Sequence, residues 1–126
     1  MQPTLLLTTI LASLATAAPT NSSLHQITVS ISNDLTGDHA SATVPSDGIA
    51  RDLTTLFAGS AIDQHGGIIG TSAQLTQFTD GTRCFFQNGN TIIDLNGREK
   101  SFMDLDGDRT KALPVWLNGF NLQCPE

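Results

Sequence analysis

The segment Asp104-Leu105-Asp106-Gly107-Asp108 sets three carboxylates at alternating positions. Acidic oxygens in that pattern are the donor set of a hard cation such as Ca²⁺. An EF-hand loop counted from Asp104 would need glycine where Arg109 stands and glutamate where Val115 stands. The competing reading is a tight turn at Asp106-Gly107 with acids on its wet face. Weak Ca²⁺ binding is the secondary expectation, and no other cofactor is expected.

Acid–base chemistry has His25, His39 and His65 to draw on, all within the first 65 residues. A secreted nuclease would need a base, an acid and a cationic stabiliser. The only glutamates are Glu99 and Glu126, and most of the arginines lie far from the histidines in sequence. The His65-Gly66-Gly67 triplet has the composition of an esterase oxyanion loop, but the Gly-x-Ser-x-Gly elbow is absent. No His/Cys spacing fits zinc. The stretch Gly66-Gly67-Ile68-Ile69-Gly70 lacks the Lys-Ser/Thr ending of a phosphate loop. With no catalytic constellation, the expectation is a non-enzyme, and a secreted hydrolase with an unrecognised site is one alternative. Trp116, with Phe120 and Phe85, offers an aromatic platform for a glycan. It has opposite parity to Val115 and Leu117, so it faces outward if they face in; the favoured reading is nevertheless core packing on a two-sided sheet.

These residues belong to a 126-residue chain with 12 Asp+Glu against 6 Lys+Arg, a net charge of −6. That length allows one domain. The acidic excess argues against nucleic-acid binding, which needs a basic footprint, and against anionic membranes. Residues 4–18, TLLLTTILASLATAA, form an uncharged apolar run ending in Ala15-Thr16-Ala17. The run is too short to span a bilayer and has the cleavage pattern of a secretory signal peptide at residues 1–17. A flexible leader, 18–23, follows and carries Asn21-Ser22-Ser23, an N-glycosylation acceptor pattern at Asn21. Residues 24–126 form the expected secreted, extracellular domain.

Cys84 and Cys124 are the only cysteines. In an oxidising compartment they pair most simply with each other; two free buried thiols are the other reading. Cys84 shares parity with Phe86, and Cys124 with Leu122 and Phe120, so on strands both sulfurs point into the core.

The elements that must position these groups read as mainly β. Turn dipeptides recur at Asp80-Gly81, Asn88-Gly89, Asn96-Gly97, Asp106-Gly107 and Asn118-Gly119, a spacing that suits short antiparallel strands. Candidate strands are 82–87, 91–95, 99–105, 113–117 and 120–124. In the first half, Ile27, Val29 and Ile31 alternate with Thr28, Ser30 and Ser32 across a strand at 25–33. Residues 40–44 read as its partner, with Ala42 and Val44 inward. One helix is expected at 48–58, capped by Asp47 and ended by Gly59, with Ile49, Leu53, Leu56 and Phe57 on its buried face. The fold class is a compact antiparallel β-sandwich or small barrel of about seven or eight strands.

The stretch ITVSISNDLTGDHASATVPSDG, then Leu56-Phe57, then GTSAQLTQF with Cys84 six residues on, resembles small secreted, effector-like proteins of filamentous ascomycete fungi. The resemblance spans roughly residues 26–124. The chain departs from it near the C-terminus, where some similar proteins have extra cysteines and this one has Cys124 alone. The resemblance implies secretion and action at a host or environmental interface, and no particular activity. The functional expectation is a small secreted, non-enzymatic protein that binds a host or cell-wall protein or glycan. A glycan- or calcium-binding module is an alternative.

Overall fold

Alternation along residues 26–33 decides the first layer of the fold. Ile27, Val29 and Ile31 are buried, while Thr28, Ser30 and Ser32 stay partly wet. A period of two with β-branched residues on one face is the signature of a half-buried strand. The structure, a computed structural model, describes residues 24–107 and 113–126. The signal-peptide reading at 1–17, the leader at 18–23, Asn21 and Asp108 lie outside the described residues.

Eleven strands and one short helix are described. They are β1 Gln26–Asn33, β2 Asp38–Pro45, β3 Arg51–Asp52, α1 Leu53–Leu56, β4 Asp63–Gln64, β5 Gly67–Gly70, β6 Ser72–Gln77, β7 Arg83–Asn88, β8 Thr91–Asn96, β9 Phe102–Asp104, β10 Val115–Trp116 and β11 Asn121–Gln123. They form three antiparallel sheets, ordered β2-β1-β6-β9, β10-β5-β4 and β3-β11-β7-β8. The fold is mainly β, as expected, and consistent with a sandwich; the sheets do not close into a barrel. One apolar cluster joins them. Ile27, Val29, Ile31, Val44 and Leu75 come from the first sheet, Cys84, Phe86, Leu95 and Leu122 from the third, and Ile68 and Leu117 from the region of the second. Among the described residues no helix is long and apolar enough to cross a membrane.

The disulfide between Cys84 and Cys124 is formed. Its placement follows from register. β11 pairs with β7 as Asn121↔Gln87, Leu122↔Phe86 and Gln123↔Phe85, so Cys124 falls opposite Cys84 as the next rung. Both cysteines are buried beside Phe86 and Leu122, on the parity the sequence assigns to them.

The expected helix at 48–58 shrinks to the single turn of α1. Arg51 and Asp52 instead pair with Leu122 and Asn121 of β11. Thr54 and Thr55 add little helical propensity, and edge pairing with β11 takes the residues that would have formed the first turn. Leu53 and Phe57 are buried as expected, but Ile49 is 57% exposed. Asp47 caps no helix. Its carboxylate accepts the Ile49 N–H at 3.0 Å and both terminal nitrogens of Arg51 at 2.9 and 2.8 Å.

That bidentate guanidinium, with the Ile49 N–H second, holds the Asp47 carboxyl well below the usual carboxylate range. A depressed folded value means the pair's contribution is present above the ordinary Asp pKa of about 3.9 and is lost as pH falls through the folded value. The expected result is that Asp47 stays ionised at about pH 3 in a carbon-detected NMR titration, and that Arg51→Gln moves its midpoint back toward about 3.9. An Asp47 midpoint unchanged by that substitution would show that the guanidinium does not set it.

The turn dipeptides divide in an instructive way. β7 and β8 form a hairpin whose last pair is Asn88↔Thr91, so the two-residue turn is Gly89-Asn90, one position beyond Asn88-Gly89. Gly97 is required by close approach instead. A Cβ there would run into the carbonyl oxygen of Thr79 and the ring of Phe78. Beside it, Asn96 Oδ1 accepts the N–H groups of Arg98, Glu99 and Lys100 at 3.0, 2.7 and 3.3 Å and winds the loop that follows β8. The expected strands at 99–105 and 113–117 contract to Phe102–Asp104 and Val115–Trp116.

Candidate functional site

Trp116 is placed by one short ladder and its continuation. β10 pairs with β5 as Val115↔Gly70 and Trp116↔Ile69, and the Leu117 N–H donates to the Ile68 carbonyl at 2.8 Å. Alternation buries Leu117 and half-buries Val115, so Trp116 points the other way and is 54% exposed. The indole lies against the backbone of Gly67, where any Cβ would overlap the six-membered ring. Asn118 Oδ1 accepts the Ile68 N–H at 2.9 Å. That bond fixes the side-chain amide next to the ring, and its NH₂ has no hydrogen bond among the described residues. The arrangement is a half-exposed indole packed against a strand that has no side chain at the point of contact, with the Asn118 amide beside it. The glycine that makes room for it is the component missing from the sequence reading. A glycine opening a strand signals close backbone approach, but nothing in the sequence says which ring approaches.

The two phenylalanines grouped with Trp116 do not join it. Phe120 is buried in the core. Phe85 sits on β7, in another sheet, on the face opposite Cys84 and Phe86.

Asp104 ends β9 opposite Ser72, and Asp106 Oδ2 accepts the Leu113 N–H at 2.6 Å. The third carboxylate of that pattern, Asp108, is outside the described residues. Among the described residues no group of three or more His, Cys, Asp or Glu side chains is placed to hold a metal ion. A carboxylate the sequence did not single out, Asp34, accepts the hydroxyls of Thr71 at 2.6 Å and Ser72 at 3.1 Å. It ties the β1–β2 turn to the start of β6.

The histidines remain apart. His25 precedes β1, His39 lies on the outer face of β2, and His65 sits in the β4–β5 turn with a left-handed φ of 56°. All three are exposed. A groove of about 790 Å³ opens elsewhere, where Arg83, Phe85 and Asp94 on the outer face of β7–β8 meet Arg98, Glu99 and Lys100 of the following loop. No histidine lines it. The alternation that sends Cys84 and Phe86 inward also sends Arg83 and Phe85 outward, and that was the available signal for this groove.

The chain matches no protein-family model, and neither the curated proteins nor the solved structures give a significant match. The class to which it is assigned is therefore structural: a mainly β, sandwich-like protein with one internal disulfide.

Proposed function

We propose that this is a secreted, non-enzymatic binding protein, of the effector-like or cell-surface interaction type, that engages a host or cell-wall partner through Trp116. The observation that carries this reading is the half-exposed indole seated on Gly67 beside the fixed Asn118 amide. An aromatic ring already packed against the backbone has less ordering entropy to lose when a partner lands on it, and a neighbouring N–H donor adds direction. Of the two partner classes, the geometry favours a glycan, because the apolar face of a sugar ring stacks on indole while its hydroxyls accept from an adjacent amide. Export is supported by the apolar run at 4–18 and by the disulfide, which persists in oxidising compartments.

The chain has one Trp and no Tyr, so emission excited at the indole reports on this site alone. Titration with a panel of soluble cell-wall oligosaccharides should give a saturable change in Trp116 emission with at least one member. Calorimetry with that sugar should show Trp116→Ala weakening binding about tenfold or more, while the midpoint of unfolding stays nearly unchanged, as for other exposed positions. Gly67→Val, which pushes the ring off its seat, should weaken binding in the same direction. A silent emission spectrum across the panel would remove the glycan assignment. Equal capture of host proteins by wild type and Trp116→Ala would remove Trp116 as the contact.

A further inference from the structure

The outer edge of β2 is unpaired along its whole length among the described residues: β2 ends its sheet and pairs only with β1. The pairing alternation can be read from one bond. The Ser46 N–H donates to the His25 carbonyl at 2.9 Å. In an antiparallel ladder, bonded and non-bonded pairs alternate, so Ile27↔Val44, Val29↔Ala42 and Ile31↔Ala40 exchange bonds. His39, Ser41 and Thr43 therefore turn their N–H and C=O groups away from β1, toward the open edge. Most of the devices that normally blunt such an edge are missing along its centre; the one inward-facing charge, Asp38, stands at its first residue and accepts from Gln64 Nε2 at 2.8 Å. The strand is eight residues long, its register with β1 runs unbroken from Gln26↔Pro45 to Asn33↔Asp38, it has no lysine, and its one proline is its last residue.

We propose that β2 pairs with β2 of a second copy of this chain, antiparallel about a two-fold axis through Ser41. The pairs would be Ser41 with Ser41 and His39 with Thr43 on the outer face, and Ala40 with Ala42 on the core side. About six backbone hydrogen bonds would form between the copies. Self-pairing is favoured because the segment is its own complement. Its central residues are small, and no two like charges meet, since Asp38 would stand opposite Val44. The core side supplies a second reason. Ala40 and Ala42 pack against the apolar cluster yet remain only partly buried, and a strand added at this edge would cover them and continue the sheet. The interface is isologous and lies in a different sheet from Trp116, so it does not depend on the proposed glycan contact. Each copy carries a net charge of −6, which opposes association and is screened by salt.

The test is sedimentation equilibrium of the secreted protein, disulfide intact, from about 5 μM to about 1 mM, the range suited to a small interface. Reversible monomer–dimer behaviour is expected, with the dimer favoured by added NaCl. Amide exchange at Ser41 and Thr43 should slow with protein concentration while that at Ile31 does not change. Ser41→Pro removes an edge donor without removing a β1 bond, a place where proline is tolerated. Ser41→Lys brings two ammonium groups together at the axis. Both variants should remain monomeric at concentrations where the wild type is dimeric, with unchanged far-UV circular dichroism. A wild type that stays monomeric at 1 mM overturns the proposal, as does a dimer that survives both substitutions. Edge amides protected only when an extended peptide of another sequence is added would also overturn it, assigning the edge to a foreign strand.

Discussion

Reducing the Cys84–Cys124 bridge should lower the stability of the domain by about 4 kcal/mol. The cysteines are 40 residues apart, and closing a loop of that size removes about that much chain entropy from the unfolded state. Total stability for a domain of this size is about 5–15 kcal/mol, so one bond accounts for a large share of it. At about 4–8 °C per kcal/mol, the midpoint of thermal unfolding should fall by roughly 15–30 °C. The native ladder need not change much, because Asn121, Leu122 and Gln123 already hold β11 against β7. The effect should therefore appear in unfolding and not in the folded spectrum. Thermal circular dichroism with and without a phosphine reductant, and on the Cys84→Ala/Cys124→Ala variant, checks it. A fall of less than about 5 °C would mean that the reduced unfolded chain retains structure across this loop.

The second large effect distinguishes two adjacent phenylalanines. Phe86→Ala should cost about 3–5 kcal/mol, the range for emptying an aromatic site in a packed core. Phe86 is 1% exposed and stands between Leu122 of β11 and Ile93 of β8. Both neighbouring strands are held in ladders and one is tied by the disulfide, so the cavity cannot collapse easily. Phe85→Ala should cost far less, because that ring lines the outer groove. The contrast is a register test: a slip of one residue would exchange the two phenylalanines between core and solvent. Urea unfolding of both variants measures it, with the midpoint moving and the slope holding. Similar losses for the two substitutions would contradict the assigned faces.

Much of the fold was legible where one physical rule dominates. Ile27, Val29 and Ile31 alternate cleanly, and β1 lies where alternation puts it. The parity of Cys84 and Cys124 fixed their faces; for Trp116 the favoured core packing is overturned, because Val115 and Leu117 take the inner face and leave the indole 54% exposed. Sequence reasoning failed where distant segments compete for the same residues. The apolar spacing of Ile49, Leu53, Leu56 and Phe57 fits a helix, but β11 draws Arg51 and Asp52 into a ladder. Asn96-Gly97 looks like a hairpin turn, yet Gly97 is needed because Thr79 passes within Cβ range. In the candidate site, the indole was visible from sequence and its seat on Gly67 was not. The outward parity of Arg83 and Phe85 was a readable signal for the groove, whereas the open β2 edge was hidden, since it is defined by which strands end up side by side.

The disulfide placed as the last rung of the β7–β11 ladder has a consequence outside folding. It closes residues 84–124 into a covalent ring that contains β8, β9 and β10. A single peptide-bond cut anywhere inside that ring leaves both fragments attached, held by the bridge and, where the β7–β11 pairs survive, by the ladder beside it. A protease that cuts within residues 84–124 would therefore need two cuts, or prior reduction, before a fragment is lost from that ring. In an external medium rich in such enzymes, the bridge would set how long the molecule persists as well as how firmly it folds.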